Sequence, residues 1–162
     1  MRIAVAACGC EGPEELASEL AEKAKELGVE LALGGCWGLM GRVVEHALRR
    51  GVRVTLFLPM GAEYSCEHDK LTVVRTNMTP NSRSSLLVYS SDALLALGGG
   101  AGTVMEVLMA YRERKRVALV KGYGMDSDKY FEIMKDGIDS RNLAPVKAFD
   151  RPSEALEWLV RG

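Results

Sequence analysis

The sequence predicts a single α/β domain, a three-layer fold around a parallel sheet of about six to seven strands. Short apolar runs alternate with helix-length amphipathic segments, and glycine-rich turns follow several of those runs. No repeat, linker or low-complexity tract interrupts residues 1–162. With 48% hydrophobic and 27% charged residues, the chain has the balance of one able to bury its own core.

The first apolar run, Ile3–Ala7, leads into Gly9, Gly12 and Pro13 and reads as a buried strand. Pro13 suits a first helical turn, Glu14 and Glu15 suit its positive end, and Leu16, Leu20, Ala24 and Leu27 recur at helical spacing until Gly28. Val29–Leu33 is the second strand, and a helix from about Leu39 to Arg50 follows its glycine-rich turn. Val52–Leu58 and Leu71–Arg75 are the next strands. Thr79-Pro80 then supplies an N-cap and a first-position proline for a helix carrying Arg83, Leu86, Leu87 and Tyr89. Ala93–Leu97 is the fifth strand, followed by a helix to about Arg114, and Val117–Val120 is the sixth. Tyr130–Ile138 reads as helix, Val146–Phe149 as a short extended piece and Pro152–Val160 as the closing helix. Strands separated by helices imply parallel pairing through right-handed crossovers, hence a Rossmann-like architecture.

Lys plus Arg total 21 and Asp plus Glu 22, giving a net charge of −1. That balance argues against broad nucleic-acid or membrane-surface binding, which needs a basic excess. No apolar run approaches the roughly 20 residues of a membrane span, and the N-terminal run is too short for a signal peptide. Four cysteines are too few for a disulfide scaffold, so the expectation is a cytoplasmic protein with reduced thiols. Cys8, Cys10, Cys36, Cys66 and His68 all fall toward one sheet edge, but their spacing matches no standard zinc pattern. No metal site is assigned, and small buried thiols are expected.

Ligands of open parallel sheets bind beyond the C-terminal ends of the strands. Three glycine-rich turns fall there: Cys8–Gly12, Gly34–Gly41 and Gly98–Gly102. The last is the most informative. Three consecutive glycines between a strand and a helix allow close backbone approach to an anion, and the free N–H groups at the helix start favour phosphate. The turn lacks the Lys-Ser/Thr of a P-loop, and it matches no dinucleotide-binding fingerprint, so neither a P-loop NTPase nor an NAD dehydrogenase is expected.

Gly34-Gly35-Cys36-Trp37-Gly38-Leu39-Met40-Gly41 resembles the GGxxGLMG turn of the LONELY GUY family, long misnamed lysine decarboxylases. Gly98-Gly99-Gly100-Ala101-Gly102-Thr103-Val104-Met105-Glu106 is similar to its PGGxGTxxE signature, and Arg83 stands where the family carries an active-site arginine. The resemblance spans roughly Ile3 to Val120. It implies hydrolysis of the N-glycosidic bond of a nucleoside 5′-monophosphate to base and ribose 5-phosphate, with Arg83 and Glu106 as the catalytic residues. The ligand-binding set is Gly9, Gly34, Gly35, Gly38, Met40, Gly98, Gly99, Gly100, Ala101, Gly102 and Thr103. The planar fork of Arg83 suits phosphate or ribose oxygens, and a Glu106 carboxylate suits an oxocarbenium-like sugar or an attacking water. A surface arginine and a glutamate satisfying a helix start form the structural alternative.

Two departures shift the resemblance within the superfamily. Gly98 replaces the signature proline, and Ser82 and Ser84 flank Arg83 where the enzymes have Glu and Lys. Asn81-Ser82-Arg83-Ser84 with Gly98–Thr103 looks more like the branch containing the molybdenum-cofactor carrier proteins, which implies a carrier or sensor of a phosphorylated pterin. No cofactor is required on either reading; the bound group is a nucleotide or a phosphorylated pterin. The only partners expected are this small phosphorylated ligand and further copies of the chain, as a homodimer or higher homo-oligomer. Pyridoxal-phosphate decarboxylation does not carry over, since no lysine sits in a recognisable Schiff-base setting.

Overall fold

Strand β1 (Arg2–Ala7) sets Ile3, Val5 and Ala7 on one face and Ala4 and Ala6 on the other, so both faces must be covered. The same holds for β2 (Glu30–Leu33), β3 (Val54–Leu58), β5 (Ala93–Gly98) and β6 (Val117–Val120), whereas β4 (Leu71–Arg75) and β7 (Val146–Phe149) are less buried. In a computed structural model describing residues 1–162, these strands form one seven-stranded sheet in the order β4-β3-β2-β1-β5-β6-β7. Every pairing is parallel. The less buried strands are the two edges.

Helices α1 (Glu14–Leu27), α2 (Gly38–Arg49) and α6 (Pro152–Arg161) cover one face, packing Leu16, Leu20, Val43 and Leu156 on Ile3, Leu31, Leu33 and Leu56. Helices α3 (Pro80–Tyr89), α4 (Ala101–Arg112) and α5 (Asp128–Met134) cover the other with Leu87, Val88, Val107 and Phe131. The strands offer these helices Ala4, Ala6, Ala32 and Ala96, small side chains that leave room for close approach. No helix is long and apolar enough to cross a membrane.

Element boundaries differ from the expected ones for local reasons. The N–H of Val29 donates to Ala24 O and that of Val52 to Ala47 O, so both valines finish helical turns before their strands begin. Pro13 is the residue preceding α1 rather than its first helical position. Thr79 caps α3 as expected, its Oγ1 accepting from Ser82 N–H at 3.4 Å. The fifth helix begins earlier than expected because the Ser127 carbonyl takes the N–H groups of Tyr130 and Phe131. The connection between β3 and β4 carries no helix. At the N-terminal sheet edge, Arg2 N–H donates to the Asp92 carboxylate at 2.7 Å and Asp92 N–H to Arg2 O at 2.8 Å, fastening the starts of β1 and β5 together.

The segment between α5 and β7 hangs on Tyr111, whose ring is buried in the α4 face. Its hydroxyl donates to Asp139 at 2.6 Å and accepts from Leu143 N–H at 3.0 Å. Hydrogen bonds from Arg141 and then Tyr111 hold the Asp139 carboxyl down at about 2, below its ordinary 3.8. A depressed carboxyl stabilises the fold above its unfolded value, and that stabilisation is lost as pH falls toward the folded value. Thermal unfolding should therefore show an acid loss between pH 3.8 and about 2 that Asp139→Asn removes. An unchanged acid limb in the variant would show that the clasp contributes nothing.

Candidate functional site

Because β1 pairs with β2 on one side and β5 on the other, the chain winds outward in opposite directions from this central pair. Crossovers diverge there, leaving a crevice beyond the strand ends. A cavity of about 620 Å³ opens at that point, walled by the loops after β1, β5 and β6 and by the first turns of α3 and α4.

The turn into α4 is shaped by its glycines. Gly98 has φ +117°, a conformation closed to proline and strained for any L side chain, and a Cβ there would meet the Met125 sulfur. This explains why the signature proline is absent. Its carbonyl accepts from Cys8 N–H at 2.9 Å, tying the turn to the end of β1. At Gly99 a Cβ would overlap the Thr103 hydroxyl. Ser127 grips Gly99 from both sides, its Oγ accepting from Gly99 N–H at 3.0 Å and its N–H donating to Gly99 O at 2.8 Å. Around Gly100 and Gly102 the space is open. No side chain caps α4, so its first N–H groups face the cavity without helical partners.

Arg83 and Glu106 meet on the cavity wall. Arg83 Nη1 donates to Glu106 Oε1 at 3.1 Å, and the Ser84 hydroxyl donates to the same oxygen at 2.7 Å. Both charged residues are 7% exposed. The guanidinium lies across the end of β2 only because Gly34 has no side chain; a Cβ there would overlap it. Arg83 Nε is buried without a hydrogen-bond partner, as is Arg116 Nε away from the cavity. Burial pushes the Glu106 carboxyl above the usual carboxylate range, outweighing the Ser84 hydroxyl and the Arg83 charge that pull it down.

The α2 turn is arranged differently. Leu39 N–H donates to Cys10 O at 2.9 Å and Met40 N–H to Cys8 O at 3.4 Å, so the start of this helix is spent on the β1 loop. Gly38, at φ +55°, permits that contact by letting α2 abut Gly9 and Cys10. Gly9, Gly34, Met40, Gly99, Gly100, Gly102 and Thr103 line the cavity beside Arg83 and Glu106, whereas Gly35, Gly38, Gly98 and Ala101 lie outside its lining. Trp37 is 41% exposed and lies over Gly9 and Gly35 rather than in the cavity.

The expectation of reduced, buried thiols needs correction. Cys8 and Cys10 form a disulfide, since the tight turn after β1 brings their Cα atoms to 5.1 Å. Cys36 and Cys66 are free, the first half-buried and the second exposed. No cluster of three or more His, Cys, Asp or Glu side chains has metal-binding geometry.

Several cavity residues escaped sequence reading. Tyr123, Gly124, Met125 and Asp126, in the loop after β6, close one side, while Glu11 and Asn81 stand at others. The signal for the β6 loop was positional: it leaves the same sheet edge one strand from β5. Ser127 carried no signal, because its role depends on a meeting across 28 residues.

Comparison with known proteins agrees with this architecture. The SLOG cluster4 family matches residues 3–150. A protein of Archaeoglobus fulgidus is 35% identical over 145 residues, covering 90% of this chain and 83% of the relative. Among solved structures, TM1055 superposes with a TM-score of 0.84 at 24% identity, covering 99% of each chain. The molybdenum cofactor carrier protein of Chlamydomonas reinhardtii gives 0.74 at 23% identity, covering 99% of this chain and 98% of its own. At these identities the structural likenesses establish a shared fold. The family match over most of the sequence goes further: this chain is a member of the SLOG cluster4 family.

Proposed function

We propose that the protein binds a small phosphomonoester of nucleotide or pterin type, with its phosphate on the first turn of α4. The carrying observation is the uncapped, glycine-lined helix start opening on a cavity beside a buried arginine with a free Nε. The charges narrow the ligand. Arg83 is the one basic side chain lining the cavity, against Glu11, Glu106 and Asp126. One guanidinium and one helix dipole suit a single phosphate, and a di- or triphosphate would meet uncompensated carboxylates. The acids instead suit hydroxyl and amino groups, which sugars, bases and pterins supply. The Chlamydomonas neighbour is a molybdenum cofactor carrier, which favours a carrier of a phosphorylated pterin over an enzyme. No metal or other cofactor is needed for this reading. In keeping with the family resemblance, the working unit would be a homodimer or larger.

Hydrolysis of a nucleoside 5′-monophosphate is the second reading, favoured by one observation: a buried carboxyl with a raised pKa on the cavity wall. Ionised Glu106 would stabilise a cationic sugar or orient water, while Arg83 holds the ligand's anionic part.

Calorimetry with adenosine 5′-monophosphate as probe tests binding. Gly100→Val should abolish it without unfolding the protein, because a side chain there meets open space. Arg83→Ala should weaken it by about 1.5–3 kcal/mol. That variant strands Glu106, so the loss is best read between Glu106→Gln and the Arg83→Ala/Glu106→Gln pair. Unaltered binding in Gly100→Val would place the ligand elsewhere.

Ribose 5-phosphate release tests turnover. If the protein is a hydrolase, Glu106→Gln should cut the rate by on the order of a hundredfold or more with affinity nearly intact. A wild type with no turnover leaves the carrier.

The raised pKa of Glu106 gives a further expectation. Above the ordinary 4.5 the folded state retains the Glu106 proton longer than the unfolded state does, so this group's contribution to stability falls as pH rises toward its folded value. Any hydrolytic rate rises over the same window as the carboxylate forms. Glu106→Gln should flatten both trends, and a stability profile identical to wild type would refute the direction assigned to Glu106.

A further inference from the structure

The cavity wall contributed by the β1 loop contains the Cys8–Cys10 disulfide, and neither phosphate binding nor hydrolysis uses it. A disulfide spanning a single residue is a poor staple, because the unfolded-chain entropy it removes grows with the length of the loop closed. Its position is more informative than its contribution to stability. Cys8 is 9% exposed and packs beside Gly99, while Cys10 is an exposed residue, so Cys10 is the half of the pair that lies toward solvent. The carbonyls of the same two residues receive the α2 N–H groups, and Trp37 covers Gly9 between them.

We propose that Cys8–Cys10 is a thiol–disulfide exchange site, with dithiols as its reaction partners, and that its oxidised form is the ligand-binding form. A dithiol's thiolate attacks Cys10 Sγ; the S–S bond breaks, and Cys8 leaves as a thiolate and takes up a proton. The reductant's second thiol then attacks its own bonded sulfur, expelling Cys10 as a thiolate, which is protonated. Two electrons and two protons pass to the pair, and the dithiol departs as its own disulfide.

Reduction frees rotation about Gly9 and makes the sulfurs separate, so the wall that the closed ring held in place must be ordered when ligand binds. The exchange site stands on the disulfide's placement alone; its coupling to ligand rests on the phosphate-binding reading above.

The test uses the full chain carrying Cys36→Ser and Cys66→Ser, which leave the cavity lining intact. Folded protein is equilibrated with dithiothreitol redox buffers and trapped with a maleimide for mass spectrometry. Paired, reversible labelling of Cys8 and Cys10 is expected without denaturant, together with a change in Trp37 fluorescence in a Trp158→Phe background. Release of the thiols only on unfolding would overturn the exchange site. Adenosine 5′-monophosphate should bind the reduced form about tenfold more weakly, the scale of a wall ordered on binding. Equal affinity in both forms would overturn the coupling. Native exchange with no nucleotide binding in either form would uphold the exchange site while removing the ligand reading.

Discussion

Strand β1 has β2 as one neighbour and β5 as the other, and the chain leaves this pair in opposite directions. Helices α1 and α2 pack on one face of the sheet while α3 and α4 pack on the other, so no helix crosses the gap above the central strand ends. The gap is therefore a consequence of winding order, and the loops that end at it become walls. The register shift between Ala6 and Ala7 and the bond from Cys8 N–H to Gly98 O bring two such loops together. The geometry of the α4 turn and the position of the disulfide both depend on that central parallel pairing.

On this scaffold the Arg83–Glu106 pair is an expense that stability alone does not justify. Desolvating both charges costs several kcal/mol per ion before their attraction offsets it, and an apolar pair of similar volume is often as stable. The sequence also reserves neighbours for the pair: Gly34 leaves space for the guanidinium, and Ser84 supplies a second donor to the carboxylate. The buried Arg83 Nε stays unpaired even so. Residues kept in an incompletely satisfied buried arrangement beside a cavity fit a site awaiting a ligand better than a structural ion pair.

The strand–helix order and the parallel sheet were legible because both rest on local patterning: apolar runs, a Thr-Pro helix start and glycine-rich strand-to-helix turns. Arg83 and Glu106 were singled out by the family resemblance, and no local pattern shows that they meet, since α3 follows the edge strand β4 and α4 follows β5 beside the central strand. What stayed hidden was set by contacts between distant segments. Gly34–Gly41 and Gly98–Thr103 look alike as glycine-rich strand-to-helix turns. Only the fold reveals that the first spends its helix N–H groups on Cys8 and Cys10 while the second keeps its own free. Ser127 illustrates the same limit, since no local pattern shows that a serine before a short helix holds Gly99, 28 residues away in sequence. The Cys8–Cys10 bond was misjudged because a cysteine count is a weaker guide than a turn that places two sulfurs side by side.

The two turns are nevertheless one device. A helix start that accepts an anion must be held still, and the α4 turn is held by Ser127 on one side and by the end of β1 on the other. The end of β1 is in turn held by the N–H groups of α2, which Gly38 allows to come close enough. Gly38 therefore bears on the cavity through the β1 loop, without lining it. This division also explains why the loop tolerates a redox-active pair at its tip. Hydrogen bonds tie its backbone to α2 and to Gly98 independently of the S–S bond, so on the exchange reading opening the disulfide loosens the tip about Gly9 while leaving the sheet beneath it intact.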